Sequence, residues 1–146
     1  MKLTVSKLNN FLLFKLPSAF FCGVRVKEID VNKCVVSVKH RWINQNPFNS
    51  MYFAVQAMAA ELSTGALVMF QIAKSGRKIS MLVANNKGNF TKKATGRITF
   101  TCNDGHLIEK AILETIATGE GQTFWMKSIG TNETGIQVSE MDFEWS

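Results

Sequence analysis

The sequence is poor in the residues that build a metal site or a disulfide scaffold. It has three cysteines, Cys22, Cys34 and Cys102, with no CxxC pair among them, and only two histidines, His40 and His106. No zinc site can be read from these spacings, and an odd, scattered set of cysteines gives no disulfide framework. All three cysteines fall in strand-like segments and read as small apolar residues of a reducing compartment, which points to the cytoplasm. The sequence also lacks a glycine-rich phosphate loop, a GxSxG nucleophile elbow and any internal repeat. Its apolar run Phe11-Leu12-Leu13-Phe14 stops at Lys15, too short for the core of a secretion signal. His40 and His106 read as surface residues.

What remains is the composition of one globular domain. The chain has 146 residues, 46% of them hydrophobic and 19% charged. A domain of this size buries roughly 68 to 70% of its extended surface, enough for a core without staples. The net charge of +6 is unevenly spread, since residues 1–46 carry eight Lys or Arg against two acids and the rest is neutral. Between Lys74 and Arg97 seven basic residues occur and no acid, whereas Asp104 to Ser146 carries eight acids against Lys110 and Lys127. Such a balance raises nucleic acid as a partner, but the sequence has no helix-turn-helix, aromatic RNA-binding motif or zinc module, so no specific nucleic acid is expected. The basic stretch suits a small phosphorylated ligand, with solvated lysines on strand faces as the plainer reading.

Periodicity gives the order of elements. Ser6 is placed to cap a helix from Lys7 to Leu16 that buries Leu8, Phe11 and Leu12 and ends at Pro17. Val24 and Val26, then Cys34, Val36 and Val38, alternate as a hairpin turning at Asp30 to Lys33. The stretch Met51 to Ala73 has a single charge, Glu61. Its length meets the criterion for a membrane span, but Gln56, Glu61, Ser63 and Thr64 interrupt it, several of its residues are alanine, and strands flank it. No membrane span is expected. A helix apolar on all sides must instead be wrapped, and a curved sheet is the natural wrapper.

The second half offers that sheet. Ile79, Met81 and Val83 alternate up to a turn at Asn86-Lys87-Gly88-Asn89, and Ala94 to Cys102 alternate again. A helix from Leu107 to Ile116 ends before Gly119. Strands near Gly121 to Thr131 and Gly135 to Trp145 join at Asn132-Glu133, and a slip in apolar phase marks a bulge near Ser139 or Glu140. The three tryptophans, Trp42, Trp125 and Trp145, read as core or interface. The fold class is α+β, one domain over residues 1–146.

This order resembles the hotdog fold, about six antiparallel strands around one long helix. Thioesterases of that superfamily related to the phenylacetate pathway carry N-x-x-G-x-x-H-G-G and, seven residues later, an acid in the helix. Asn46-Pro47-Phe48-Asn49-Ser50-Met51-Tyr52-Phe53-Ala54 and then Glu61 are similar in spacing. Asn46 and the acid are kept, while Asn49, Tyr52, Phe53 and Ala54 stand where the motif has Gly, His, Gly and Gly. Phe90-Thr91-Lys92-Lys93-Ala94 is similar to an F-x-K/R-x-A element of such proteins, and the whole pattern resembles a subgroup known only as a domain of unknown function. The resemblance implies an acyl-CoA thioesterase acting as a homodimer, or a tetramer, with active sites shared between subunits. Coenzyme A is then part of the substrate, and no separate cofactor or metal is expected.

The chemistry can be assigned to residues. Thioester hydrolysis needs a group that activates water or attacks, and donors where negative charge develops on the carbonyl oxygen. Glu61, the one acid between Asp30 and Asp104, is the candidate base or nucleophile, because a carboxylate on an apolar helix is costly to bury without a task or a partner. The backbone N–H groups of Phe53 and Ala54 at the helix N-terminus are the candidate oxyanion donors. Asn46 is expected to orient water or substrate, or else to shape the turn before Pro47. Tyr52 offers a hydroxyl in place of the missing His. Asn49, Ser63 and Thr64 are candidate pocket residues, and Lys92 and Lys93 are candidates for the phosphates of coenzyme A. The alternative from a different class is a non-catalytic acyl or lipid-binding hotdog protein that has lost the chemistry and kept the pocket.

Overall fold

A computed structural model of the protein describes residues 2–146. The chain runs α1 (Val5–Lys15), α2 (Pro17–Phe21), β1 (Arg25–Ile29), β2 (Cys34–Lys39), a 3-10 turn (Trp42–Asn44), α3 (Phe53–Ser75), β3 (Val83–Phe90), β4 (Arg97–Cys102), α4 (Gly105–Thr118), β5 (Phe124–Thr131) and β6 (Gln137–Trp145). The six strands form one antiparallel sheet in the order β1-β2-β4-β5-β6-β3. It wraps α3, twelve of whose residues are buried. This is the hotdog architecture the sequence resembles.

α3 is helical because its residues are mostly good helix formers, and it stops at Gly76, whose φ of 70° is the left-handed conformation that glycine adopts without strain. By length and hydropathy α3 is able to cross a membrane, but here it is the core helix. Two of its polar residues are tied into the protein: Ser63 Oγ pairs with Ser128 Oγ on β5 at 2.7 Å, and Gln71 Nε2 donates to the Val31 carbonyl at 2.7 Å. α4 starts against the β1–β2 turn. The backbone at Gly105 lies so close to Val31 and Asn32 that a side chain there would collide with main-chain atoms.

Several sequence expectations need correction. Thr4, not Ser6, caps α1, its side chain accepting from the Lys7 N–H at 3.2 Å, and Phe11 is only half-buried beside buried Leu8 and Leu12. Pro17 does not simply end that helix; it opens α2 as its first residue, where its missing N–H costs nothing. Cys22 ends α2 and is not in a strand, whereas Cys34 and Cys102 face each other in register on β2 and β4. Burial pushes both of those thiols up to about 12. The long helix begins at Phe53, where it was expected, with Met51 before it in an isolated bridge to Gln45.

The largest correction concerns β3. Asn86 to Asn89, expected as a turn, lies in the middle of a strand paired along its length with β6. The strand sits at the sheet's edge, and all its residues after Val83 are exposed. The expected bulge is present but earlier: Gly130 faces Ser139 and Thr131 faces Gln137, which leaves Val138 as the extra residue on β6. Trp145 is 5% exposed, while Trp42 is 82% exposed and Trp125 lies under the Lys87 ammonium.

Candidate functional site

The segment before α3 is a closed loop built on two asparagines. Asn44 is buried; its amide donates to the carbonyls of Cys22 (3.0 Å) and Lys39 (2.9 Å) and its oxygen accepts from the Arg41 N–H (2.8 Å). Asn46 closes the next turn. Its oxygen accepts from the N–H of Phe48 (2.9 Å) and Ser50 (3.2 Å), and its amide donates to the Met51 carbonyl (3.3 Å) and lies 3.0 Å from the Ser50 hydroxyl. Asn49 has φ of 61°, alone among the described non-glycine residues in having positive φ. It therefore holds the left-handed backbone at the place where the hotdog motif has Gly, a conformation asparagine tolerates better than most residues.

This loop delivers the chain to α3 with its first amides free. Tyr52 is the N-cap and gives no side-chain cap; its own N–H donates to the Asn44 carbonyl at 2.9 Å. The Val55 N–H returns to the Tyr52 carbonyl at 3.0 Å. Among the described residues, none accepts a hydrogen bond from the N–H of Phe53 or Ala54. They are donors at the positive end of a 23-residue helix with no acid in its first turn.

A cleft of about 360 Å³ opens beside them, lined by Asn46, Phe53, Gln56, Phe90, Lys92 and Lys93 among others. Lys93 donates to the Phe48 carbonyl at 2.9 Å, tying it to the loop. Gln56, absent from the sequence-based candidates, is buried in this cleft with its side-chain oxygen unpartnered. A buried amide group without a partner costs free energy unless a ligand supplies one. The only sequence signal was that Gln56 is polar on an apolar helix.

Glu61 lies elsewhere. It follows Phe53 by two helical turns, about 12 Å along the axis. Its carboxylate opens into a separate cleft of about 210 Å³ under the α1–α2 corner, lined by Lys15, Met58 and Leu62 among others. Among the described residues no hydrogen bond or ion pair reaches it. Burial raises it from its ordinary 4.5 to about 6. Ser63 and Thr64 do not line its cleft: the Ser63 hydroxyl faces β5, and the Thr64 hydroxyl donates to the Glu61 backbone carbonyl at 2.8 Å. One chain thus gathers Asn46, Asn49, Phe53, Lys92 and Lys93 at one end of α3 and leaves Glu61 alone in its middle. Tyr52 and Phe53, 47% and 55% exposed, point outward with Phe90 in an edge-to-face cluster. Another cleft, about 780 Å³ between residues 2–5, the β1–β2 turn and the end of α3, contains none of these residues.

The profile of one protein family matches residues 6–146, almost the whole chain. The chain belongs to DUF4442, a domain of unknown function. No curated protein matches it. Solved structures share the DUF4442 chain's fold over nearly its full length. A Pseudomonas aeruginosa protein of unknown function, described as a probable thioesterase, has a TM-score of 0.83 at 21% identity over 99% of this chain and 95% of its own. A Chlorobaculum tepidum protein of unknown function gives 0.85 at 14% identity, over 97% and 91%. A Haemophilus influenzae thioesterase gives 0.75 at 11% identity, over 100% and 91%.

Proposed function

We propose that this DUF4442 protein is an acyl-CoA thioesterase that works as a homodimer. The observation that carries the proposal is the Glu61 carboxylate, half-buried on the core helix, lining one cleft and bonded to nothing within the chain. A carboxylate kept free of ion pairs and raised by burial to about 6 is suited to take a proton from water.

The second copy supplies the other half of the site. β3 presents a full-length unpaired edge, an arrangement that soluble proteins generally cover. The exposed cluster of Tyr52, Phe53 and Phe90 adjoins it. Pairing of β3 with the partner's β3 buries both and brings one protomer's helix N-terminus towards the other protomer's Glu61, giving two equivalent sites by two-fold symmetry. In each site Glu61 removes a proton from water as the oxygen bonds to the thioester carbon, or attacks that carbon itself. The carbonyl oxygen becomes an oxyanion held by the N–H groups of Phe53 and Ala54. Collapse breaks the carbon–sulfur bond; with water as nucleophile the coenzyme A thiolate takes the proton held by Glu61, and after direct attack a water hydrolyses the resulting Glu61 anhydride, releasing the acid, restoring the carboxylate and supplying the thiolate's proton. Asn46 acts through the loop it closes, Gln56 meets a polar group of the substrate, and Lys92 and Lys93 meet the phosphates at the cleft mouth. The reading carries a cytoplasmic location, where coenzyme A esters and reduced cysteines coexist.

Purified protein tested against a panel of acyl-CoA esters, beside Glu61→Gln, decides the matter. The variant should lose at least about a hundredfold in rate, the scale of a lost general base. Hydrolysis that survives Glu61→Gln unchanged refutes the mechanism. If no ester is turned over but an acyl chain co-purifies, the protein is the non-catalytic binder.

A further inference from the structure

The cleft of about 780 Å³ at the C-terminal end of α3 lies beside β1, the sheet edge opposite to β3. Three pieces of chain meet there: the segment leading into α1, the β1–β2 turn and the last turns of α3. Each contributes apolar surface. Leu3, Val5 and Ile29 back onto the core, and Val31 and Phe70 are half-buried beside them. The volume is in the range of small-molecule sites, about 300 to 1,000 Å³.

The rim of this groove carries positive charge. Lys2 and Lys74 line it and are exposed, and the Lys7 ammonium lies 3.2 Å from the Lys2 carbonyl. Among the described residues none of these three ammonium groups is in an ion pair. Asp30 is the one acid on the lining, and its carboxylate is turned into its own loop, where Oδ1 accepts from the N–H groups of Asn32 at 2.7 Å and Lys33 at 3.0 Å. An apolar bed with unpaired cations at its edge complements an apolar chain that ends in an anion. A second copy of this chain suits it badly, because a two-fold axis through the groove would set lysines against lysines.

We infer that this groove is a binding site for a free fatty acid, with the chain against Val31 and Phe70 and the carboxylate at the Lys2 and Lys74 rim. The inference goes beyond the thioesterase reading and does not rest on it, since the groove contains neither Glu61 nor the amides at the start of α3.

The test is calorimetric titration of the full chain with decanoate at pH 8, beside 1-decanol as the chain without the charge. Decanoate should saturate one site per chain, and lengthening it to dodecanoate should tighten binding by up to about fourfold per methylene. Lys2→Glu combined with Lys74→Glu should weaken decanoate by about tenfold or more and leave decanol within about twofold. Both positions are exposed, so folding is not at stake. Val31→Glu puts an acid into the apolar bed and should weaken both ligands, while the Val31 carbonyl keeps its bond from Gln71. The absence of saturable binding overturns the inference, as does decanoate binding indifferent to both variants, which would seat the chain in another cleft. An equal loss for decanoate and decanol in the lysine variant removes the carboxylate from the rim and overturns it too. If the wild type binds no decanoate and Val31→Glu dissolves an assembly in sedimentation, the groove is a subunit contact and the inference falls. The thioesterase reading is judged at Glu61, so either can fail alone.

Discussion

Replacing Glu61 with glutamine should make the protein more stable while it stops working. Burial holds the folded carboxyl at about 6 against an ordinary 4.5. The folded state therefore prefers the protonated form. Its contribution is fully present below about pH 4.5, declines as the pH rises and is gone above about 6. A separation of that size is worth about 2 kcal/mol. Glutamine is neutral at every pH and escapes the cost of burying charge, so the variant should gain about 1 to 2 kcal/mol over the wild type at pH 7.5 and nothing at pH 4. In Tm that is about 3 to 8 °C for a domain of this size. Urea unfolding of both proteins at one protein concentration, from pH 4 to 8, gives the difference directly. The reasoning fails if Glu61→Gln is destabilising at pH 7.5, because the carboxylate then has a bonded partner in the assembled protein and is structural. It fails equally if the difference is the same at all pH values.

The same titration should appear in activity, with kcat/KM rising as the pH passes about 6 and Glu61 becomes the base; a flat profile from pH 5 to 8 removes Glu61 from that role. Asp in place of both Phe53 and Phe90 should convert a dimer to 16.3 kDa monomers in sedimentation and abolish hydrolysis; full activity from a monomer would contradict the shared site. Asn46→Ala should cost about 1 kcal/mol in urea unfolding, since it removes the acceptor of the Phe48 and Ser50 N–H groups that closes the turn, and a loss of rate without a loss of stability would give Asn46 a direct part in the chemistry. Gly105→Ala should cost more than about 3 kcal/mol or fail to fold, because its Cβ would collide with the Val31 carbonyl and the Asn32 backbone.

The elements that bury a repeating face could be read from the chain. α3 announces itself as an apolar stretch with one charge, and β4 and β6 alternate as strands buried on one side must. β3 could not be read this way. Asn85-Asn86-Lys87-Gly88-Asn89 has turn composition and no buried face, so nothing local marks it as a strand; pairing with β6, more than fifty residues later, imposes the extended state. Pro17 was equally ambiguous, since the same residue ends one helix and begins another. At the site, the cost of a lone charge on an apolar helix made Glu61 visible. That it opens under the α1–α2 corner, away from the helix N-terminus, depends on how α1 and α2 pack, which spacing along α3 does not contain. Gln56 was missed because its meaning lies in what faces it, a cleft.

The position of β3 also orders the birth of the molecule. β1, β2 and β4 can pair as they leave the ribosome, but β3 has no neighbour in the sheet except β6, the sixth strand in chain order. Until β6 is made, Val83–Phe90 must wait unpaired. Its polar, charged and glycine-containing sequence, useless for announcing a strand, suits that wait, because such a segment does not aggregate while idle. Any subunit contact along this edge can then form only once β6 is in place, so deleting β6 should destroy assembly before it destroys the β1-β2-β4-β5 part of the sheet.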